Sequence, residues 1–271
     1  MRLIDFHVHA FPDRMAPVAV AALVKAVGPI NHTDGTLADT LRMQREELGS
    51  DHFVLFNIPT TPHQQRRAND FVLAANGADG GRVISFGSLH PRAADAFEEL
   101  ERLKQAGLRG IKFHPEYQEF DMDDPTVYPL YEAIAKAGMV MVFHGGEDPA
   151  FRGRRHACPQ RAARVVRDFA GAPIVIAHMG NTEDGAEPLE YLCGQSCYLD
   201  VSMAAQFMPR AQFEALVKGH GADKILFATD CPWGGKETYD AVAALPISQQ
   251  DKEKIFWRNA CRLLELDPDG A

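Results

Sequence analysis

Histidine and aspartate side chains that could bind a divalent metal ion recur in this sequence where short hydrophobic runs end. His7 and His9 form a His-x-His pair at the end of the first apolar run, which starts at residue 3. Residues two apart in a strand point to one face with Cα atoms roughly 7 Å apart, so a single cation can contact both rings. Alone, the pair is a weak signal, because two histidines so spaced are more often ordinary surface or core residues.

The same pattern returns later in the chain, again at the end of apolar runs. His114 follows GIKF, His144 follows MVMVF, His178 follows PIVIA and Asp230 follows KILFAT. Chance does not place such residues at the boundary each time. The repetition therefore predicts that several strand ends carry metal-binding side chains.

Imidazole nitrogens and carboxylate oxygens are typical ligands of catalytic zinc, which keeps three protein ligands and a water. We expect His7, His9 and His144 to supply nitrogen ligands. Asp230 is expected to be both a carboxylate ligand and the acceptor of a proton from the bound water. Zinc lowers the pKa of that water towards about 7, which makes hydroxide available at neutral pH. His178 is expected to hydrogen-bond the substrate oxygen as charge develops on it.

Alternation of side chains along a strand predicts which neighbours share a face with these residues. Asp5 is expected to face the same way as the His-x-His pair and to orient one of its imidazole rings from behind. By the same alternation, Ile174, Ile176 and His178 share one face. The predicted interior is aliphatic below and polar at the top.

Four other residues are candidates for substrate contact. Lys112 and His114 are expected to contact the substrate or the groups behind the metal ligands, although a lysine satisfied by a carboxylate in the interior is the simpler alternative for Lys112. Trp233 is expected to wall the pocket beside Asp230. Arg152, in a loop with two more arginines, could hold a substrate carboxylate with its fork-shaped guanidinium group. A solvated basic patch is an equally good interpretation of that loop.

Eight β-type runs that alternate with helix-type segments position these residues. The predicted strands cover residues 3–9, 52–58, 82–89, 109–114, 139–144, 173–178, 197–202 and 224–230. Several are nearly unbroken apolar stretches, as buried parallel strands require. The pattern predicts an α/β fold, a (β/α)8 TIM barrel that forms a single domain over residues 1–271. A doubly wound open sheet is the alternative, but it gathers ligands at one switch point, whereas these candidates come from five strands.

The connection over residues 10–34 is unusually long for a strand-to-helix loop. Its stretch 16–27 is apolar, which predicts an extra helical segment at about 14–33. We expect this segment to cover the barrel mouth, where it could act as a lid or pack at a subunit interface.

Composition limits the partners of this 271-residue chain. Its formal net charge of −9 argues against nucleic-acid and anionic-membrane binding, because both depend on clustered Lys and Arg. A small-molecule substrate fits better. No apolar run approaches the roughly 20 residues of a membrane-spanning helix, and the first strand begins too early for a signal peptide, which predicts a cytoplasmic protein. The five scattered cysteines are expected to be reduced thiols.

Taken together, these motifs resemble the amidohydrolase superfamily, in particular its branch of predicted metal-dependent TIM-barrel hydrolases that includes amino-carboxymuconate-semialdehyde decarboxylase. The matching segments are DFHVH at 5–9, GIKFHPEYQ at 110–118, VFHGG at 142–146, IAHMG at 176–180 and ATDCPW at 228–233. The resemblance implies that His7, His9, His144 and Asp230 are the metal set and that His178 is the substrate-facing histidine of strand six. It also implies zinc, or manganese or another divalent ion, and makes a homodimer plausible.

The number of metal ions depends on Lys112. Binuclear members of the superfamily have a carboxylated lysine on strand four that bridges two metals, and Lys112 lies on that strand. His114 is two residues nearer the end of the strand, and the branch usually has one metal. We expect one metal per chain.

The leading functional hypothesis is a metal-dependent hydrolase that uses a zinc-activated water on an amide, ester or lactone. The alternative is a metal-dependent, non-oxidative decarboxylase or hydratase of an unsaturated or aromatic acid. A phosphoesterase of the TatD type ranks lower, because it should have a glutamate ligand on strand four. A binding protein with a structural zinc should close its site with four protein ligands, whereas these residues are expected to meet at an open barrel mouth.

Overall fold

The computed structural model describes residues 1–28 and 32–269. All strand pairs are parallel. The strands are β1 (Ile4–His9), β2 (His52–Phe56), β3 (Val83–Ser85), β4 (Gly87–Ser88), β5 (Gly110–Phe113), β6 (Val140–Phe143), β7 (Ile174–Ile176), β8 (Tyr198–Asp200) and β9 (Ile225–Leu226).

The strands form two consecutive sheets, β1-β2-β3 and β4 through β9 in chain order. The two sheets meet within the third predicted strand, which is divided at Phe86. Because the Phe86 N–H donates to the carbonyl of Leu55 (3.0 Å), this residue stays in the ring between β3 and β4. The sequence of eight strands is therefore preserved, with the third one in two pieces.

The ring closes between β1 and the chain that continues from β9. The Phe6 N–H donates to the carbonyl of Phe227 (2.9 Å), and the Asp230 N–H donates to the carbonyl of His7 (2.8 Å). The predicted (β/α)8 barrel is confirmed, and the closure places the last strand beside the first.

Helices surround the ring. They are α1 (Ala16–Val27), α2 (Leu37–Arg42), α3 (Gln65–Ala75), α4 (Ala78–Gly81), α5 (Ala96–Gln105), α6 (Pro115–Gln118), α7 (Tyr128–Lys136), α8 (Pro159–Asp168), α9 (Ala186–Tyr191), α10 (Ala204–Phe207), α11 (Arg210–His220), α12 (Lys236–Ala243), α13 (Gln249–Glu253) and α14 (Asn259–Leu264). None of the helices in the described part of the chain has the length and apolar character needed to cross a membrane.

Side chains of the strands divide between two apolar layers. Phe6, Val142, Val175 and Leu226 belong to a cluster inside the barrel, together with residues of α14. A larger cluster, which includes Ile111, lies between the strands and the helices. This division follows from the alternation of strand side chains, and the polar residues of the site lie at or near the carboxyl ends of the strands.

The extra helix expected near the barrel mouth is α1. It packs against the short turn Pro149–Phe151, and its Ala19 and Ala22 line the pocket at the mouth. The predicted segment extended to residue 33, and residues 29–31 of it lie outside the described residues.

Candidate metal centre

The candidate residues meet at the carboxyl end of the barrel. His7 and His9 lie in the second half of β1. His114 and His144 directly follow β5 and β6, and Asp230 lies four residues after β9. In a TIM barrel this end carries the active site, because the loops after the strands converge there. The cavity at this end has a volume of about 410 Å³.

The first cluster joins the first and last strands. His7 Nε2 lies 3.1 Å from His9 Nε2, and Asp230 Oδ1 lies 3.4 Å from the former and 3.3 Å from the latter. Both histidines are buried. Three of the four predicted metal ligands therefore converge on one point.

The donor set of this cluster fits a divalent ion. Two imidazole nitrogens that face each other repel unless a proton or a cation lies between them. His7 Nδ1 is 2.9 Å from a carboxylate oxygen of Asp200, so its proton lies on that side and its Nε2 presents a lone pair. Two nitrogens and a carboxylate oxygen suit zinc, and they are also accepted by manganese.

The electrostatic environment keeps these groups in the forms that bind metal. Burial, reinforced by the ammonium of Lys112, lowers the pKa of His7 to about 3, so its imidazole is neutral at pH 7. Burial opposes ionisation of Asp230, but the neighbouring His7 and the hydrogen bond from His9 lower the pKa of this carboxyl to about 2. The carboxylate is therefore ionised over the whole physiological range.

The fourth predicted ligand, His144, lies next to this cluster with His178. His144 Nδ1 is 3.1 Å from His178 Nε2, a second pair of facing ring nitrogens. The other ring nitrogen of His144, Nε2, is buried without a hydrogen-bond partner in the described part of the protein. Burial and the neighbouring His114 lower the pKa of His144 well below its usual value, so this imidazole is neutral.

His114 and an aspartate that the motif analysis did not select form the opposite side of the pocket. His114 stacks on His144 with 4.1 Å between ring centroids, and its Nε2 is 3.4 Å from Asp148 Oδ2. Asp148 also accepts the N–H of Ala150 (2.7 Å), which fixes it at the start of the turn. One ligand atom from each of His114, His144 and Asp148 lies within 4.8 Å of the other two.

Lys112 is buried inside the barrel beneath the first cluster. Its Nζ is 3.0 Å from His7 Nε2, and burial lowers its pKa from 10.5 to about 8. The ammonium group thus donates to the same nitrogen that faces His9. Lys112 also lines the pocket, so it can reach a bound substrate.

Asp200, the last residue of β8, was missed by the sequence analysis. It is fully buried and touches both His7 and the backbone N–H of His178, at 2.9 and 3.0 Å. The signal was present, because Asp200 ends a hydrophobic strand as the selected residues do. No histidine accompanies it in the local sequence, however, so it forms no recognisable metal-binding motif.

The prediction that Asp5 orients an imidazole ring is wrong. The pairing of β1 with β2 shifts register between Asp5 and Val8, and this irregularity turns Asp5 away from the face of the histidines. Its carboxylate accepts the N–H and hydroxyl of Thr229 (2.9 and 2.6 Å) and the amide of Gln44 (2.7 Å). Asp5 therefore ties β1 to the segment before Asp230, and Asp200 orients His7 instead.

The prediction that Ile174, Ile176 and His178 share a face is also wrong. The two isoleucines pack in the outer apolar layer, whereas Val175 faces the barrel interior. His178 reaches the pocket because its backbone is left-handed, with φ of 59°, which breaks the alternation. Asp230 has φ of 63°, so both predicted catalytic residues sit in a conformation that costs free energy outside glycine.

Trp233 lies at the pocket, as its position beside Asp230 indicates, with its ring 5.9 Å from that of His9. Most of the remaining wall is apolar and includes Phe11, Ile58, Phe151 and Met203.

Arg152 is not brought to this pocket. It lines a separate cavity beside it and is largely exposed, with its guanidinium 3.3 Å from Glu183. We therefore leave Arg152 out of the proposed site, and its role in carboxylate binding stays a prediction.

Comparison with known proteins identifies the same kind of scaffold. A family model described as amidohydrolase matches residues 4–266. Among curated proteins, none matched this chain.

Solved structures with a similar fold include two decarboxylases. One is 5-carboxyvanillate decarboxylase from Sphingomonas paucimobilis, with a TM-score of 0.73, 19% identity, and coverage of 98% of this chain and 99% of the other. The second is a dihydroxybenzoic acid decarboxylase from Polaromonas sp. JS666 with bound manganese and the inhibitor 2-nitroresorcinol, with a TM-score of 0.75, 18% identity and 97% coverage of both chains.

A third similar structure is a probable 2-pyrone-4,6-dicarboxylic acid hydrolase from Acinetobacter baumannii with bound citric acid. Its TM-score is 0.70 at 15% identity, over 98% of this chain and 100% of the other. At these identities the likeness concerns the fold.

Proposed function

We propose that this chain, which belongs to the amidohydrolase family, is a metal-dependent, non-oxidative decarboxylase of a small unsaturated or aromatic acid. The observation that carries the proposal is the convergence of His7, His9 and Asp230 beside His178 in a pocket whose remaining wall is mostly apolar. The apolar part of the wall suits the hydrocarbon body of such an acid.

The structural comparisons support decarboxylation more than hydrolysis. Hydrolysis is the leading hypothesis from the sequence alone. Two of the similar structures named above are decarboxylases of aromatic acids, and one of them holds manganese. We propose one divalent ion per chain, zinc or manganese, held by His7, His9 and Asp230. His144 is the proposed fourth ligand, from the family resemblance.

The metal, when bound, supplies positive charge that polarises oxygen atoms of the substrate. Lys112 holds the substrate carboxylate through its ammonium group, because it is the one lysine or arginine that lines the pocket in the described part of the chain. The undescribed residues 29–31 and 270–271 carry no charged side chain. His114 and Trp233 hold the body of the substrate against the apolar wall.

His178 delivers the proton that replaces the carboxylate. The carbon–carbon bond breaks, carbon dioxide leaves, and the electron pair stays on the substrate carbon. Nε2 of His178, a free base at rest, first takes up a proton from solvent and then gives it to that carbon. On the other side of this ring, Nδ1 is held by Ser202 Oγ at 2.9 Å, which steadies the imidazole during the transfer. Asp230 is ionised and would be one of the metal ligands, beside His7 and His9.

Hydrolysis of an ester, amide or lactone remains the second candidate. It is favoured by one specific observation, the ionised carboxylate of Asp230 beside His7 and His9, which could accept a proton from an attacking water. The cytoplasmic location and the homodimer stay predictions from the sequence.

The test separates the two reactions on the metal-loaded enzyme. Hydroxybenzoic acids and related unsaturated acids are supplied alongside aryl esters and lactones, and carbon dioxide release is measured in parallel with acid release. We expect carbon dioxide without ester or lactone cleavage, and loss of this activity in His178→Ala. His63→Ala, at an exposed histidine, is the matched control. Cleavage of esters or lactones without carbon dioxide would select the hydrolase, and neither product would refute both.

A further inference from the structure

Asp200 is connected to two histidines of the site at once. It is fully buried at the carboxyl end of β8, between β7 and β9. One oxygen, Oδ2, is 2.9 Å from His7 Nδ1. The other, Oδ1, accepts the backbone N–H groups of His178 (3.0 Å) and Ser202 (3.1 Å) and also the hydroxyl of Ser202. Four hydrogen-bonding groups of the protein therefore surround this carboxylate.

The ionised form of the Asp200 carboxyl group is favoured in the folded protein. Burial opposes its ionisation, but Oδ1 accepts hydrogen bonds from two backbone N–H groups, those of His178 and Ser202, and these stabilise the carboxylate. A carboxylate that is always ionised can only accept hydrogen bonds. Every group that touches it must therefore present a proton to it.

For His7, two neighbours demand the same proton position. The carboxylate of Asp200 requires a proton on Nδ1, and the ammonium of Lys112, 3.0 Å from Nε2, requires a lone pair there. The two contacts lie on opposite sides of the ring and come from different strands. Nε2 of His7 is therefore the free base that faces His9.

For His178 the influence of Asp200 passes through Ser202. The Ser202 hydroxyl donates to Asp200, so its oxygen can accept from His178 Nδ1, 2.9 Å away. The Ser202 carbonyl, 3.3 Å from the same nitrogen, also accepts. Both contacts place the proton on Nδ1 and leave Nε2 of His178 as the base that faces His144.

The same carboxylate also holds the backbone from which His178 projects. His178 has a left-handed φ of 59°, a conformation that persists only where neighbours fix it. The hydrogen bond from its N–H to Asp200 is one such restraint.

We propose that Asp200 is the positioning residue of the site, which fixes the proton of His7 directly and that of His178 through Ser202, so that Nε2 of both rings faces the pocket as a free base. The inference rests on the proposed function for its use of a metal ion. The proton positions themselves exist in the metal-free protein and can be measured there.

Asp200→Asn is the informative substitution, because it preserves shape and reverses one hydrogen bond. The amide oxygen can keep the three donors of the Oδ1 side. The amide nitrogen then faces His7 Nδ1 and offers a proton where the wild type accepts one. His7 is expected to move its proton to Nε2, which removes the lone pair needed for a metal.

Ser202→Ala is the matched variant for the indirect contact of Asp200 with His178. It removes the hydroxyl between Asp200 and His178 and leaves the contact of Asp200 with His7. Its expected effect is a measurable fraction of His178 with the proton on Nε2, with His7 unchanged.

The experiment records long-range proton–nitrogen spectra of imidazole groups in metal-free, nitrogen-15 labelled protein, assigned with variants that each lack one histidine. Isothermal titration with Zn²⁺ alone and Mn²⁺ alone follows. We expect Nδ1–H on His7 and His178 in the wild type. Asp200→Asn should weaken metal binding about 10-fold to 100-fold, whereas Ser202→Ala should change it less than about threefold.

A proton on Nε2 of His7 in the wild type would overturn the inference, even without any metal data. So would an Asp200→Asn protein that keeps both the wild-type proton position and the wild-type metal affinity. If the wild type binds no divalent ion but His7 shifts its proton in Asp200→Asn, the positioning role stands and the proposed function fails.

Discussion

Replacement of Lys112 by methionine should stabilise the protein. Lys112 is buried in the barrel, where its ammonium group loses hydration. Methionine is also long and unbranched, so it can fill the space without a charge. Within the described part of the chain, the ammonium group makes one hydrogen bond, to His7. The substitution removes this bond.

The size of this stabilisation follows from the lowered pKa of Lys112. Burial lowers the pKa of Lys112 from 10.5 to about 8, although the charges of Asp200 and Asp230 oppose this fall. At 1.36 kcal/mol for each pKa unit, holding the protonated lysine in the folded state costs about 3 kcal/mol. Below pH 8 the methionine variant should be more stable by about this amount.

The difference in stability between Lys112→Met and the wild type should depend on pH. Between pH 8 and 10.5 the folded protein releases the Lys112 proton while the unfolded chain keeps it. The unfolded state then binds more protons, so wild-type stability rises with pH in this window. The advantage of Lys112→Met should therefore shrink from about pH 8 upward and disappear near pH 10.5.

The assay is urea unfolding of the metal-free proteins across this pH range, with the difference in unfolding free energy plotted against pH. Lys136→Met, at an exposed lysine of α7, is the control and should differ from wild type by less than about 0.5 kcal/mol at every pH. A difference for Lys112→Met that stays constant from pH 7 to 10.5, or a variant less stable than wild type at pH 7, would refute the reasoning.

Four further predictions concern the site and its support. His9→Ala should purify with far less than one equivalent of divalent metal, measured by elemental analysis, while His63→Ala retains it; equal metal content in the two would contradict the proposed ligands. Phe151→Ala removes part of the apolar wall and should raise KM about 10-fold with little change in kcat, whereas a fall in kcat alone would argue against a wall role. Gly110→Ala should lower the unfolding free energy by about 1–3 kcal/mol, because the added Cβ would lie 2.1 Å from the Phe86 ring, and an unchanged urea midpoint would contradict this packing. Arg152→Ala should leave KM for acids unchanged, since Arg152 pairs with Glu183 outside the pocket; a KM that rises for acids but not for neutral analogues would restore its role in carboxylate binding.

Much of the barrel could be predicted from local patterns. Apolar runs that end in His or Asp marked the strands and their carboxyl ends, because burial and alternation act on neighbouring residues. The break of the third strand at Phe86 was not predictable in this way. It depends on the switch of pairing from β2 to β5, which only the closed ring imposes.

The directions of the side chains at the site were harder to predict from the sequence. Alternation assigned His178 the face of Ile176, but its left-handed backbone carries the ring into the pocket. Alternation also placed Asp5 with His7, and the register shift in β1 separates them. In both cases contacts between strands overrode the period of two.

The sequence by itself determined which residue types stand at the strand ends, and so the chemistry of nitrogen and carboxylate ligands in a parallel barrel. The tertiary structure alone decided that Asp200, from a strand without a histidine, orients His7, and that Arg152 lies outside the pocket. The reason is that strand periodicity is a local property of the chain. Which carboxylate meets which imidazole depends on strands that are almost 200 residues apart in sequence, since 193 positions separate His7 from Asp200.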